Sequence, residues 1–534
     1  MINRSQQLSN QLMWNRLLSV VEEQAQTLIR TAFSPIVREC GDISAGIFDL
    51  KGRMMAQAVT GTPGHVNSMA ESVKHFMRYF SINDMSEGDI YITNDPWMGT
   101  GHLNDFVLTT PCFKNNKIVG LFSCTSHLTD IGGIGTGPDA TDVHMEGIFI
   151  PMLKLADKGK MNKPLLSMIR QNTRQPVETE GDVYSLAACN DVGCLRLNDM
   201  MKEFEIKDLD ELSSFIYTKS LKAVKKEIKK IPNGVYKNSM MIDGFENPVK
   251  LNATLTVKEN QISMDYKGTS KKSQFGINVP LSYTRAYTGF GLSCLISPEV
   301  PNNAGSLSPY DINAPEGTIL NAKYPASVCA RHVIGQMLPD VVFGCLEKAV
   351  PDLVPAEGAS CLWNLTFRGL QKDNKTIFAI TAVTNGGTGA RPSKDGLSAT
   401  AYPSGVKGTP VEINEAVAPL LFLKKEFKTN SGGKGQFRGG DGQMIEITSS
   451  LKKDLEILAA YDRIKFPARG RKGGSNGKPG SIRIKNGRIL NGKGTQLIKA
   501  GEILEISTPG GGGYGSFKKR SKILKKYDKE NDLG

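Results

Sequence analysis

Apolar side chains at Leu12, Leu17, Leu18, Val21 and Ala25 recur with the 3.6-residue period of an amphipathic helix over residues 5–33, ended by Ser34-Pro35. The pattern then alternates: Ile43–Leu50 and Gly52–Met55 predict a hairpin across Asp49–Gly52. A second helix is predicted over Met69–Phe80, and a strand over Asp89–Asn94 that stops at Asp95-Pro96. Two apolar runs, Phe106–Phe113 and Lys117–Cys124, flank Asn115-Asn116. Paired Asn tolerates positive φ, so this is a hairpin, and with Lys114 opposite Lys117 it sets Asn104 opposite His127. Gly132–Pro138 reads as a flexible glycine loop, and Leu209–Lys230 as a charged helix stopped at Ile231-Pro-Asn-Gly234. Met240–Ile242, Val249–Val257 and Ile262–Tyr266 are strands, and residues 327–349 a buried helix. From about residue 355 the chain is β-rich. Glycine clusters at 385–389, 431–435, 438–442 and 509–513 share no period, so each marks a tight turn or a close backbone approach rather than a repeat.

These patterns predict a multidomain α+β protein with mixed β-sheets, packed helices and a β-rich, glycine-rich C-terminal half. The expected divisions are an N-terminal α+β region over 1–234 that carries the Asn115-Asn116 hairpin, a mixed β/α region over 235–355, a β-rich region over 356–517, and a disordered basic tail over 518–534. A length of 534 residues is compatible with this number of domains.

Composition narrows the class. No run of about 18 apolar residues exists to span a membrane, and the polar start Met1-Ile-Asn-Arg-Ser-Gln-Gln is unlike a signal peptide. Nine scattered cysteines, an odd number, read as buried thiols in a reducing compartment, which predicts a cytoplasmic protein. The net charge of +13 sits largely in Lys518–Lys526 and Arg463–Arg488, with few aromatics interleaved. This predicts a solvated tail or a docking surface for an acidic partner, and neither a nucleic-acid nor a membrane partner.

The candidate chemistry lies in two His-x-x-Asp units 25 positions apart, His102-Leu-Asn-Asp105 and His127-Leu-Thr-Asp130. In a regular strand Asp105 would point away from the face of His102, whereas a helical turn or bulge brings both together. Gly99-Thr-Gly101 favours such a turn. His102, Asp105 and His127 then offer two imidazoles and a carboxylate to a divalent metal with positions left open, and Asp130 is a fourth ligand or an outer acceptor. From spacing alone, capping aspartates with hydrogen-bonded histidines is an equal reading. The concentration of Asp95, His102, Asp105, His127, Asp130, Asp139, Asp142, His144 and Glu146 within about fifty residues favours the metal. His65 is a loop histidine, and His75 belongs to a helix. Gly487–Gly494 has phosphate-loop spacing but lacks the Ser/Thr for magnesium. No dinucleotide fingerprint, Gly-x-Ser-x-Gly elbow or Cys/His nucleophile pair is present, so nucleotide chemistry is expected on a partner chain.

Longer motifs carry a resemblance. Arg30-Thr-Ala-Phe-Ser-Pro-Ile-Val-Arg-Glu-Cys-Gly-Asp-Ile-Ser44, Asn94-Asp-Pro-Trp-Met-Gly-Thr-Gly-His-Leu-Asn-Asp105, Ser126-His-Leu-Thr-Asp-Ile-Gly-Gly133, Glu146-Gly-Ile-Phe-Ile-Pro151, Ser431-Gly-Gly-Lys-Gly-Gln-Phe-Arg-Gly-Gly440 and Thr508-Pro-Gly-Gly-Gly-Gly-Tyr-Gly515 together resemble the hydantoinase B family. That family includes N-methylhydantoinase B, the matching half of 5-oxoprolinase, caprolactamase, and subunits of acetone and acetophenone carboxylases. The resemblance implies a B-type subunit of a hetero-oligomeric, ATP-dependent hydrolase. An A-type partner of actin-like ATPase fold, consuming ATP with magnesium, phosphorylates a cyclic amide such as a hydantoin, 5-oxoproline or a lactam. The B-type subunit then opens the ring with metal-bound hydroxide.

It further implies His102, Asp105 and His127 as ligands of manganese, zinc or iron. Asp130 and Glu146 are the implied acid/base residues, and Arg38, Glu39, Asp42, His65, Asp95 and His144 the implied substrate-binding residues. One departure is Gly-Thr-Gly-His102, where many hydantoinase-type members have Gly-Gly-Thr-His; the spacing to Asp105 is kept. The alternative within the family is a subunit of a ketone carboxylase, and the chain's shorter length favours the hydrolase branch.

Overall fold

Apolar residues on both sides of its central strands force the first sheet to be covered on both faces. The structure, a computed structural model, describes residues 4–360 and 362–533. Within them an antiparallel seven-stranded sheet runs in the spatial order Met54–Gln57, Ile43–Phe48, Lys117–His127, Asp105–Lys114, Ile90–Thr93, Leu153–Asp157, Lys160–Met161. One face packs Ile47 and Phe122 against Leu17, Val21 and Leu197 of the helices Arg4–Thr31 and Pro176–Glu203. The other packs Phe48, Val107 and Leu121 against Val66, Met69, Val73 and Phe76 of the helix Pro63–Tyr79. That helix begins six residues before the expected Met69, because Pro63 occupies its first turn, where a missing N–H costs nothing. His65, expected in a loop, is therefore on the helix's first turn.

The Asn115-Asn116 hairpin forms as expected, with φ of 49° and 60° at its turn. Its register differs from the expectation. Lys114 does pair with Lys117, but Cys112 pairs with Gly120 and Phe113 with Ile118, so Val119 is an extra residue. The bulge shifts the rest of the ladder by one position. Asp105, not Asn104, lies opposite His127.

A second sheet orders Tyr310–Asn313, Gln261–Asp265, Val249–Lys258 and Gly234–Ile242, with one buried face against the helices Leu281–Ile296 and Leu338–Leu346. The single helix expected over 327–349 is broken: a loop precedes His332–Gly335, and Pro339 opens Leu338–Leu346. Two further four-stranded antiparallel sheets, drawn from residues 363–507, contribute Trp363, Leu365, Phe367, Ile457, Ile445, Leu504 and Ile506 to the core that also holds the second sheet.

The glycine clusters are not isolated turns. Extended, non-strand segments lie side by side and bond main chain to main chain: Gly387 N to Pro509 O, Gly440 N to Thr388 O, Gly511 N to Gly440 O and Gly433 N to Gly511 O, all at 2.8–3.0 Å. A Cβ at Gly440 would sit 2.0 Å from Leu397 O, and one at Gly511 1.9 Å from Thr388 O. Only glycine permits that approach.

The basic terminus also departs from the expectation of disorder. Lys522–Glu530 is helical, and Arg520, whose side chain is 1% exposed, binds Asp395 and Asp528. A charged composition predicts solvation only when no counter-charge on the folded body waits for it, and the half-buried Asp395 supplies one.

Candidate metal centre

Asp105 opens one strand of the long hairpin and His127 closes the other, which places the two side by side at its open end. His102 reaches them through the predicted turn. Gly101, at φ +103°, allows it; a Cβ there would meet the Arg331 side chain at 2.7 Å. His102 Nε2 is 2.7 Å and His127 Nδ1 3.3 Å from Asp105 Oδ1. One donor atom from each of the three residues lies within 4.8 Å of the others, and all three residues are buried.

Hydrogen bonds fix which atoms are free. Asp105 Oδ2 accepts from Thr100 Oγ1 at 2.7 Å, Arg331 Nη2 at 2.5 Å and His65 Nε2 at 3.0 Å, leaving Oδ1 as the free oxygen. His102 Nδ1 is 2.9 Å from Cys329 O. A carbonyl only accepts, so Nδ1 carries the proton and Nε2 a lone pair. Burial, reinforced by the Arg331 cation, pushes the His102 pKa down to about 4, so the ring is neutral at pH 7. Its Nε2 lone pair then faces the Asp105 Oδ1 lone pairs at 2.7 Å in a buried site. That contact is repulsive unless a proton on Nε2 or a bound cation lies between the two atoms. Two imidazoles and one carboxylate suit manganese, iron or zinc.

Against His102 and His127 lies a cavity of about 30 Å³, room for roughly one or two waters. Asp42, Thr62 and His65 line it from the N-terminal region; Tyr283, Arg331, His332 and Gln336 from the middle; Leu362, Asn364 and Val406 from the C-terminal half. Burial opposes the charged form of Asp105, but His102, His65 and Arg331 outweigh it and hold the carboxyl well below its ordinary range. Burial likewise opposes a charged His65, but Asp105 and Asp42 raise its pKa overall. His332 is pushed well below its ordinary value by burial and by the neighbouring Arg331.

Several expected site residues are brought together and others are not. Asp42 and His65 join the three ligand candidates: Asp42 accepts from Thr62 Oγ1 at 2.9 Å and lies 3.6 Å from His65 Nδ1. Asp130 does not reach the cavity. Its carboxylate pairs with Arg174 Nη1 at 2.7 Å, accepts the Arg174 backbone N–H, and holds Gly132 N at 3.2 Å, so the second His-x-x-Asp unit divides between two jobs. Glu146 is buried outside the cavity lining, and burial pushes its carboxyl up to about 7. Arg38 and Glu39 form an ion pair at 2.9 Å, with Arg38 exposed. Asp95 caps the turn ahead of Gly99 through Trp97 N at 2.8 Å and Met98 N at 3.2 Å. His144 is exposed and bonds Tyr324 Oη at 2.9 Å. Sequence reasoning missed Thr100, Tyr283, Arg331 and His332. Arg331, with its guanidinium carbon 4.0 Å from the Tyr283 ring centroid, did leave a signal. A cation and an imidazole inside a segment read as a buried helix need buried partners.

Comparison with known proteins places this geometry in a lineage. Residues 6–517 match the Hydantoinase B/oxoprolinase family. The chain is 32% identical to an uncharacterised protein of Methanocaldococcus jannaschii, covering 93% of this chain and 88% of that one. It is 27% identical to the B component of a putative D-/L-hydantoinase of Pseudomonas sp. (97% and 91%). It is 28% identical to 5-oxoprolinase 1 of Arabidopsis thaliana, covering 94% of this chain but 41% of that longer one. The fold is that of the ATP-dependent caprolactamase of Pseudomonas jessenii (TM-score 0.90, 23% identity, 99% and 95% covered) and of acetone carboxylase (TM-score 0.87, 17% identity, 98% and 78%). No helix among the described residues is long and apolar enough to cross a membrane. With a family match running almost end to end and a relative above 30% identity over nearly the whole length, the chain belongs to the Hydantoinase B/oxoprolinase family.

Proposed function

We propose that this chain is the B-type component of an ATP-dependent enzyme that opens a cyclic amide at a divalent cation held by His102, Asp105 and His127. The observation that carries the reading is the 2.7 Å approach of the His102 and Asp105 lone pairs, with His127 beside them, in a buried, cavity-lined site. A divalent cation bound there supplies Lewis-acid polarisation of a carbonyl and acidifies water. The chain's own residues do the rest. Arg331, Thr100 and His65 hold Asp105 so that its other oxygen is turned toward His102 and His127, and Cys329 O orients His102. The cavity takes a water-sized nucleophile but not a ring, so the reacting group enters alone or the lining moves.

The ATP-consuming step is assigned to a separate A-type polypeptide. Support comes from the hydantoinase relative, which is by name a B component, and from the longer 5-oxoprolinase, of which this chain spans about two fifths. The test supplies the purified chain and its partner with ATP and 5-oxoproline or a hydantoin, and separately with a ketone and bicarbonate. Ring opening that is lost in His102→Ala together with bound metal supports the proposal. Turnover strictly dependent on bicarbonate supports the carboxylase reading instead, which the shared fold does not discriminate against.

A further inference from the structure

The residues that orient the ligand candidates come from one short loop. Cys329 presents its carbonyl to His102 Nδ1 at 2.9 Å, and two positions later Arg331 donates to Asp105 Oδ2 at 2.5 Å and to Thr100 O at 2.9 Å. Nothing in the local sequence dictates that a loop 227 residues away from His102 should hold this shape. Its entry is clamped by Glu146. Oε1 of that carboxylate accepts from Ser327 Oγ at 2.5 Å, Val328 N at 2.6 Å and Cys329 N at 2.9 Å. Glu146 itself is 2% exposed, and Oε2 has no hydrogen-bond partner among the described residues. Burying a carboxyl with one oxygen unpartnered is costly. An apolar side chain would fill the same volume more cheaply, unless the clamp itself is needed.

We infer that Glu146 is a positioning residue: through Ser327, Val328 and Cys329 it fixes the Cys329 carbonyl, which holds His102 as the Nδ1-protonated tautomer with Nε2 free for a metal. Peptide N–H groups from two successive residues converge on one oxygen, which fixes the peptide planes on both sides of Val328 and so the place of the Cys329 α-carbon; the next plane, which holds the Cys329 carbonyl, is set from there with Ala330 N donating to Gly276 O at 2.7 Å. An imidazole without that carbonyl distributes its proton between both nitrogens, and the half with Nε2 protonated cannot ligate. Glu146 touches neither the cavity nor the ligand atoms, so it acts through His102. This rests on the proposed metal-dependent function, but its first readout does not need metal.

The test uses the full-length chain, freed of metal by chelation, with nitrogen-15 histidine labelling. The chain has six histidines, so His102→Ala identifies the resonances of that ring. Wild type should keep His102 Nδ1 fully protonated, and Glu146→Ala should show it partly deprotonated. Glu146→Gln, which keeps an accepting Oε1, should remain close to wild type. Zn²⁺ affinity, measured by competition with a chromophoric chelator, should fall about 10- to 100-fold in Glu146→Ala, the usual effect of losing an outer partner of a metal-bound histidine. Should Glu146→Ala fail to fold, Ser327→Ala, which removes one of the three donors, should shift the tautomer partway. An unchanged His102 tautomer in the alanine variants overturns the inference, as does an unchanged Zn²⁺ affinity where wild type binds Zn²⁺. If wild type binds no Zn²⁺ while the tautomer still responds, the inference stands and the proposed function fails.

Discussion

Arg331→Met tests whether the cation under Tyr283 holds the Asp105 carboxylate in place. The guanidinium is 2% exposed, ion-paired to an Asp105 side chain of 0% exposure, hydrogen-bonded to Thr100 O, and stacked on Tyr283. Removing one partner of a buried pair typically costs about 3–5 kcal/mol, because the remaining charge is left uncompensated. Asp105 Oδ2 keeps Thr100 Oγ1 and His65 Nε2 as donors, which moves the expectation to the lower end for that pair. The lost Thr100 bond and ring contact add about 1 kcal/mol each. The total is therefore about 4–5 kcal/mol at pH 7 in metal-free protein. The pH dependence follows from sign. Asp105 has its folded pKa well below the ordinary value. Its ionisation therefore stabilises the fold above the unfolded-state pKa of about 4, and the contribution is lost as pH falls through the folded value. The gap between wild type and variant should be full at neutral pH and narrow in strong acid. Urea unfolding followed by tryptophan fluorescence measures it. A gap below about 1 kcal/mol at pH 7, or one that stays constant into acid, refutes the reasoning. Arg331→Lys should fall between, since one ammonium cannot serve both acceptors in the fork geometry.

Three other outcomes are expected. Gly440→Ala forces a Cβ to 2.0 Å from Leu397 O, so it should abolish soluble expression or cost more than about 4 kcal/mol; a well-folded alanine variant would contradict the packing described. Arg520→Ala leaves Asp528 and Asp395 without their shared cation, and hydrogen exchange should show residues 522–530 losing protection while the rest of the chain keeps its own. The Glu146 carboxyl is pushed up to about 7 by burial, so the folded state holds its proton more tightly than the unfolded state. Stability is then full below about pH 4.5 and should decline by about 3 kcal/mol as pH rises through 7. Urea midpoints from pH 4 to 8 should show that decline in wild type and lose it in Glu146→Gln, and equal slopes would count against it.

What the sequence made legible follows the range of each interaction. The meeting of His102, Asp105 and His127 was readable because His102 and Asp105 are three residues apart and a turn-forming Asn-Asn pair folds His127 back onto them. The register was off by one because a bulge at Val119 answers packing across the sheet rather than any local preference. Asp130 was expected beside them because its spacing repeats that of Asp105, whereas its carboxylate bonds Arg174, which lies 44 residues on and leaves no mark near the motif. A buried cation at Arg331 was a signal, but its partner and that of Cys329 were out of reach, since contacts spanning more than 220 residues follow from the assembled fold. The terminal helix was misread for the same reason: its anchor Asp395 is 125 residues from Arg520.

The glycine segments bear on how a substrate could ever enter. Side chains are the parts of a protein that yield, by turning to another rotamer; main chain packed on main chain has no such give. Asn385, immediately before Gly386, bonds the carbonyl of Val406, which forms part of the cavity wall. Gly386 in turn lies against Ala359 and Pro509, where even a methyl group has no room. One side of the cavity is thus hung from the stiffest part of the molecule. Were the proposed ring to enter whole, the lining would have to move elsewhere than at Val406, and the rest of it includes Tyr283, His332 and Gln336, which stand on helices or at their ends.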